Sequence, residues 1–176
     1  MLKKVALALA ALLVVFLGYV STRPDTFTVE RFIEVQAAPA AVMAQLDDFR
    51  AWGAWSPWER LDPNMNKTFE GPERGVGSSY TWKGNSDVGS GKMTIVEQTP
   101  LHIRFALEFF EPMASKSDTN FFLAPSGDAL TRVTWKMSGD CNFLSKLFGV
   151  FVDMDALIGK DFESGLAQLK AAAEAK

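Results

Sequence analysis

Residues 144–169 read LSKLFGVFVDMDALIGKDFESGLAQL, and their apolar side chains recur every three or four positions. This spacing places the apolar side chains on one face of a helix and most of the charged side chains on the other. The period therefore predicts one long amphipathic helix. Each glycine in it costs about 1 kcal/mol of helix propensity relative to alanine. We therefore expect Gly149, Gly159 and Gly165 to allow a bend or a close approach.

Strand patterns precede this helix. Residues 28–36 alternate so that one face is apolar, and further strand-like runs follow from residue 66. Short turns containing Gly, Pro, Asn or Asp separate these runs, which favours an antiparallel meander. The candidate strands after the first are residues 67–69, 78–83, 91–98, 102–109, 115–123 and 130–137.

Two short helical segments lie between the first strand and the others. Pro39 suits the first turn of one helix, and a second helix is predicted from Phe49 to Trp55. The run Phe49-Arg-Ala-Trp-Gly-Ala-Trp-Ser-Pro-Trp58 holds three of the five tryptophans. Because tryptophan is the largest apolar side chain, we expect this run to form one wall or end of a large hydrophobic interior.

These elements predict an α+β fold with the order β-α-α-β-β-β-β-β-β-α. A sheet of seven strands must bury one face, and only the C-terminal helix is long enough to cover it. A curved antiparallel sheet around a single helix is expected to leave an elongated apolar cavity, the usual setting of a ligand site.

The first residues form a separate segment. Lys3 and Lys4 precede an uncharged run from Val5 to Val20, which is either an uncleaved membrane anchor or a signal peptide. Poor cleavage sites after the run favour the anchor. We therefore predict a transmembrane helix over residues 1–22, a linker over 23–26 and one domain over 27–176. Lysines before the helix favour a cytoplasmic start, so the domain would lie outside the cytoplasm, in the periplasm of a bacterium. The alternative is secretion to the periplasm after cleavage.

Composition narrows the function classes. The sequence is 48% hydrophobic and 22% charged, as expected for a globular domain. Beyond residue 25 it carries a net charge of −5, which argues against nucleic-acid binding. One histidine and one cysteine are too few for a zinc site, so no metal and no cofactor is expected. Cys141 is expected to be a small, mostly buried side chain.

Several segments together resemble those of a known family. They are Ile33-Glu-Val-Gln-Ala-Ala-Pro39, Asp48-Phe-Arg-Ala-Trp52, Trp55-Ser-Pro-Trp58, Gly75-Val-Gly77, Trp82, Gly84-Asn85, Gly89-Ser-Gly91, Met154-Asp155 and Gly159-Lys-Asp-Phe-Glu-Ser-Gly-Leu166. With them the chain resembles the START-like (SRPBCC) superfamily of helix-grip proteins, which includes the polyketide cyclase-like proteins. The resemblance runs from about Phe27 to about Ala172 and looks like a membrane-anchored, polyketide cyclase-like branch. It implies a pocket for a hydrophobic ligand, but it transfers no catalytic residue.

Strand parity and helix period select the side chains that would face this pocket. We expect the lining to consist of Trp58, Tyr80, Trp82, Met93, Ile95, Phe105, Leu107, Phe121, Trp135, Phe151, Met154 and Ile158. Each of them could instead be ordinary core. Arg31 shares parity with the apolar face of the first strand, and Asp155 could point into the pocket mouth. These two are the candidate polar contacts.

No catalytic residue is predicted. His102 falls on the outer face by parity, where a single histidine is usually solvated.

The sequence supports three functional hypotheses. The first is membrane-tethered binding of a small hydrophobic or lipid-like ligand, with the membrane contacted through the N-terminal helix and protein partners unknown. The second is an enzyme of the polyketide cyclase/dehydrase type that draws an acid–base pair from Asp, Glu, Tyr80 or Arg31. The third is a non-catalytic interaction domain with a filled core.

Overall fold

The computed structural model describes residues 1–127 and 129–175. Most of this part of the chain is regular structure, in the order expected from the sequence. The helices are α1 (Leu2–Ser21), α2 (Pro39–Leu46), α3 (Trp58–Leu61), α4 (Phe143–Phe151) and α5 (Met154–Glu174), with one 3-10 turn at Ala51–Ala54. The strands are β1 (Thr26–Val35), β2 (Asn66–Glu70), β3 (Ser79–Lys83), β4 (Ser90–Thr99), β5 (His102–Glu111), β6 (Ser115–Pro125) and β7 (Thr131–Asp140).

The seven strands form one antiparallel sheet in the order β1-β7-β6-β5-β4-β3-β2. Strands β2 to β7 follow one another as a meander, and β1 pairs with β7, so that Arg31 lies opposite Trp135. Alternate residues are buried along β5 and β7, as the period-2 pattern predicts. The predicted sheet and its inner face are therefore confirmed.

Helix α5 covers the inner face of this sheet and packs chiefly along β1. It buries a row of side chains and glycines spaced three or four residues apart, which confirms the helix-grip fold. The buried residues of α5 are Gly159, Phe162, Gly165, Leu166 and Leu169. The first of these lies more than one turn into the helix, so the buried contact of α5 with the sheet begins after its first turn.

The predicted single C-terminal helix is divided in two. Helix α4 ends at Phe151, Val152 has extended backbone angles, and the Asp153 side chain accepts a hydrogen bond from the backbone N–H of Ala156 at 3.0 Å. Aspartate is among the preferred N-cap residues, so Asp153 starts a new helix where the apolar period alone would have continued the old one. Gly149 lies inside α4 and is not the point of the break.

The tryptophan-rich run closes one end of the interior, as predicted. Trp52 and Trp55 are buried, and their indole N–H groups donate to the carbonyls of Leu46 and Gln45, each at 3.0 Å. These carbonyls belong to the last turn of α2, where they have no partner within the helix. The indoles therefore cap α2 while their rings fill the core.

Helix α1 stands apart from this core. Only its Val20 is buried, and its other residues are exposed or nearly so. By length and composition α1 could cross a membrane, and a signal sequence would meet the same criterion.

Candidate functional site

The inner face of the sheet brings together most of the side chains expected to line a pocket. The strand residues of that set are all buried: Tyr80, Trp82, Met93, Ile95, Phe105, Leu107, Phe121 and Trp135. Trp58 and Ile158 are half-buried at the edge of the same cluster. The parity argument therefore identified the correct face of every strand in the set.

Aromatic stacking fills the centre of this interior. Trp135 lies parallel to Phe162 of α5, with ring centroids 4.0 Å apart, and stacks on Phe121 of β6 at 4.7 Å. Gly165 permits this contact, because a Cβ atom there would lie 2.8 Å from the Trp135 ring. The stack joins the sheet to α5 and occupies the middle of the space in which the sequence predicted an elongated cavity.

Burial is graded along the strands. At one end the inner side chains are sealed, with exposures of 0 to 3%: Ile95, Ile103, Phe105, Phe121, Leu123 and Val133. Toward the other end they keep 6 to 8%: Tyr80, Trp82, Met93, Leu107 and Met137. Phe109, farther along β5, is only partly buried, as are Phe69 and Phe27 on the two edge strands. The inner face is therefore slightly less buried toward this second end, which we call the open end.

The open end has a floor of one continuous row across the sheet. The strand register places Tyr80 beside Met93, Met93 beside Leu107, and Leu107 beside Ser117. The row then reaches Gly139, which pairs with Ser117. The Phe27 ring lies against Gly139 at the β7 side of this row, where a Cβ atom would be 2.8 Å from it, whereas Met93 and Leu107 make the floor apolar in the middle.

A semi-buried ion pair borders the open end. Lys67 of β2 bonds Glu59 of α3, and the Glu59 side chain is only 10% exposed. The register places Lys67 opposite Trp82. Asp62 stabilises the same border, because its carboxylate accepts a hydrogen bond from the backbone N–H of Asn85 at 2.8 Å. Helix α3 and the β3–β4 turn thus form one rim. The sequence analysis did not predict the Glu59–Lys67 pair. The only sequence feature that pointed to it is that Lys67 lies on the same strand face as Phe69.

Tyr80 is the titratable group within the floor of the open end. Burial, and secondarily the negative charge of Glu59, raises the pKa of its hydroxyl well above the ordinary value. The hydroxyl therefore stays protonated at neutral pH, where it can donate a hydrogen bond but cannot serve as a base.

Trp135 also contributes an unusual donor. Its indole nitrogen is buried and has no hydrogen-bond partner among residues 1–127 and 129–175. An unsatisfied buried donor costs about 1–3 kcal/mol. Trp58, at the edge of the open end, contacts the Trp135 ring edge to face at 5.8 Å.

The two predicted polar contacts, Arg31 and Asp155, do meet. Arg31 donates from Nη1 and Nη2 to the Asp155 carboxylate at 3.1 and 2.9 Å, and from Nη2 to the Asp155 carbonyl at 3.1 Å. Its remaining N–H groups donate to Glu163 Oε1 and the Glu30 carbonyl. These bonds use all five guanidinium hydrogens, so Arg31 joins β1 to α5 and has no free donor for a ligand.

Gly159 makes this junction possible. A Cβ atom at Gly159 would overlap the Arg31 guanidinium, so the absence of a side chain allows the planar group to lie against the helix. The hydrogen bonds that Arg31 donates to Asp155, and then the one to Glu163, raise the pKa of Arg31, and Arg31 in turn lowers the pKa of Asp155. Both shifts favour the ionised pair.

Two predicted lining residues lie outside the interior. Phe151 is 74% exposed at the end of α4, and Met154 is exposed in the first turn of α5. Both were assigned inward on the assumption of one continuous helix. The break at Val152 and Asp153 turns this part of the chain away from the sheet.

The outer face of the sheet carries the histidine, as parity predicted. The His102 ring stacks on Phe122 with centroids 4.7 Å apart, and its Nε2 lies 2.9 Å from Asn120 Oδ1. No group of three or more His, Cys, Asp or Glu side chains suited to a metal ion occurs in the described parts of the chain. Two shallow grooves, of about 430 and 520 Å³, lie away from the seam between α5 and the sheet.

Comparisons with known proteins agree with this architecture. A family model described as polyketide cyclase / dehydrase and lipid transport matches residues 26–174. No curated protein matches the chain.

Among solved structures, a protein from Chromobacterium violaceum is 17% identical over 88% of this chain and 100% of its own, with a TM-score of 0.59. Major latex-like protein 151 from Panax ginseng is 15% identical over 86% of this chain and 100% of its own, with a TM-score of 0.57. The di-domain ARO/CYC protein BexL, from the BE-7585A biosynthetic pathway, is 13% identical over 89% of this chain and 53% of its own, with a TM-score of 0.61. At these identities the likeness establishes the fold alone.

The helix-grip fold and a family match over nearly the whole domain confirm the resemblance inferred from the sequence motifs. The chain belongs to the polyketide cyclase / dehydrase and lipid transport family.

Proposed function

We propose that this protein binds a small apolar ligand at the open end, while α1 tethers it to a membrane. The observation that carries the proposal is the graded burial of the inner face. Its side chains are 0 to 3% exposed at one end and 6 to 8% exposed at the other. Apolar and aromatic walls with a few polar groups are typical of ligand sites.

The lining indicates the kind of ligand. Tyr80 and Trp82 stack with centroids 5.5 Å apart, and Phe109 meets Trp82 edge to face. Flat aromatic walls of this kind suit a ring system or an alkyl chain. The protonated hydroxyl of Tyr80 is the donor that a ligand oxygen would meet at the open end. We therefore propose a ligand that is mostly apolar and carries at least one oxygen acceptor.

The tether places this site near its ligand. Lys3 and Lys4 precede α1, so the positive-inside rule puts the start of the helix in the cytoplasm and the domain outside it. In a bacterium the domain would be periplasmic. Protease added to intact spheroplasts would digest a domain with this orientation and leave a cytoplasmic one intact. If α1 is cleaved as a signal peptide, the mass of the mature protein, measured by mass spectrometry, is lower by that of the α1 segment.

An interaction domain with a filled core is the second candidate. The stack of Phe121, Trp135 and Phe162 favours it, because these rings already occupy the middle of the interior. On this interpretation the open end would be a shallow surface feature with no affinity for apolar molecules.

Binding measurements separate the two candidates. The full chain in nanodiscs is titrated with oleate and with 1,8-dihydroxyanthraquinone, and tryptophan fluorescence is followed. Met93→Trp places a bulkier side chain in the floor of the open end, which reduces the space for a ligand. Its matched control is Lys92→Trp, on the other face of the same strand. If the larger side chain displaces about 60 Å² of ligand contact, affinity should fall by about 1.5 kcal/mol, which is about tenfold.

Binding of either probe by the wild type, weakened by Met93→Trp and unchanged by Lys92→Trp, supports the ligand site. A preference for the anthraquinone would favour a polycyclic ligand, and a preference for oleate would favour a chain. No saturable binding of either probe supports the filled core.

A further inference from the structure

Helix α4 presents an apolar face to the surroundings. Phe143, Leu144, Phe148 and Phe151 are all exposed, and their spacing places them on one side of the helix. Leu157, early in α5, continues the exposed apolar surface. A surface helix of a water-soluble domain ordinarily turns such a face inward.

The polar side of α4 is the side that is covered. Lys146 is the only charged residue of the helix. Its side chain is 10% exposed and bonds Asp25 in the segment before β1. The amphipathic helix is therefore inverted, with its cation against the protein and its phenylalanines outward. An exposed apolar face of this kind is typical of a surface that contacts a protein or a membrane.

The neighbour of this face identifies what covers it. Helix α4 packs beside α1, and the rings of Phe151 and Phe16 have centroids 6.2 Å apart. Phe16 lies four residues before Val20, the buried residue at the base of α1. At 1.5 Å per residue this is about 6 Å along the helix. If α1 spans a bilayer, α4 contacts it at the depth of the interface.

We propose that α4 is an interfacial helix whose outer face, formed by Phe143, Leu144, Phe148 and Phe151, lies in the lipid surface beside α1. The inference rests on the membrane tether of the proposed function and goes beyond it, because it fixes the orientation of the domain. Interfacial helices sit about 5–10 Å into the boundary between headgroups and acyl chains. Since the outer face carries no cation, the contact is apolar and requires no anionic lipid.

Spin labels measure this depth directly. The full chain with Cys141→Ser is placed in nanodiscs of phosphatidylcholine and labelled at Phe148→Cys. The matched control is Phe32→Cys on the outer face of the sheet, since the two phenylalanines are 61 and 62% exposed. Leu12→Cys reports on α1, and Phe151→Cys provides a second position if Phe148→Cys does not fold. Accessibility to oxygen and to a water-soluble nickel chelate gives the depth of each label.

We expect the Phe148 label to lie about 5–10 Å below the lipid phosphates, the Phe32 label in water and the Leu12 label in the hydrocarbon. A Phe148 label in water with a Leu12 label in the hydrocarbon would overturn the α4 inference and leave the tether intact. Leu12 and Phe148 labels both in water would overturn both. Dipolar broadening of the Phe148 label would show that a second copy of the chain covers α4, and would also overturn the inference.

Discussion

The substitution Phe162→Ala tests the seam that holds the sheet to α5. Phe162 is fully buried, lies parallel to Trp135 at 4.0 Å and meets Trp58 edge to face at 6.5 Å. Removing a buried phenylalanine side chain costs about 3–5 kcal/mol. Gly165, one turn later, already brings the helix backbone against the Trp135 ring. The helix therefore cannot move closer to the sheet to fill the void, so we expect a cost in the upper half of that range.

This loss is large enough to measure by melting. In a chain of this size each kcal/mol shifts Tm by about 2–4 °C, so a loss of about 4–5 kcal/mol lowers Tm by roughly 8–20 °C. Guanidinium unfolding in dodecyl maltoside, followed by tryptophan fluorescence, gives the free energy. Phe162→Leu should cost less, because it keeps most of the apolar volume and loses the aromatic stacking, worth about 0.5–1.5 kcal/mol per pair.

Phe32→Ala provides the matched control, since Phe32 is exposed on the outer face of β1 and contacts only the Arg132 guanidinium among the aromatic and cationic groups described. It should change the free energy of unfolding by no more than about 1 kcal/mol. Equal losses of unfolding free energy for Phe162→Ala and Phe32→Ala would refute the reasoning that the aromatic stack stabilises the packing of α5 on the sheet.

Three further substitutions test the charged and polar groups by chemical unfolding. Gly159→Ala should lower stability in the wild type, because it displaces the Arg31 guanidinium. In an Arg31→Ala background it should instead stabilise the helix by about 1 kcal/mol, and stabilisation in both backgrounds would contradict the close contact. Because the pKa of Tyr80 is raised on folding, the unfolded state loses this proton first, and stability should fall as the pH rises above about 10. Tyr80→Phe should flatten this alkaline decline, and an unchanged decline would point to other groups. Since the pKa of Asp155 is lowered on folding, its stabilisation should be present above about pH 4 and lost as the pH falls further. Asp155→Asn should flatten that acid decline, and an equally steep decline would contradict the role of the Arg31 pair.

Much of the fold could be predicted because it depends on local periods. Strand alternation correctly placed residues such as Phe105 and Trp135 on the inner face, and a helical period identified Phe162. The break between α4 and α5 could not be predicted in the same way. The apolar period continues through Phe151 and Met154, so only the cap made by Asp153 distinguishes two helices from one.

The candidate site was harder to predict, because it depends on contacts between distant segments. Parity placed Arg31 on the inner face, but not the partners that occupy its donors, Asp155 and Glu163. Whether the interior is open depends on how far along β1 the helix α5 lies and on the angle of each ring. Trp135 and Trp82 are 2 and 6% exposed and share a sheet face and a residue type, so sequence alone could not distinguish them.

Photolabelling tests the ligand site most directly. The full chain in phosphatidylcholine nanodiscs is irradiated with a diazirine analogue of oleate, and the labelled peptides are identified by mass spectrometry. We expect labels that saturate with ligand on α3 and on the strands of the open end, at Trp58, Tyr80, Trp82 or Met93, and loss of those labels when unlabelled oleate is in excess. Labels confined to α1 and α4, with none on the inner face of the sheet, would contradict the account.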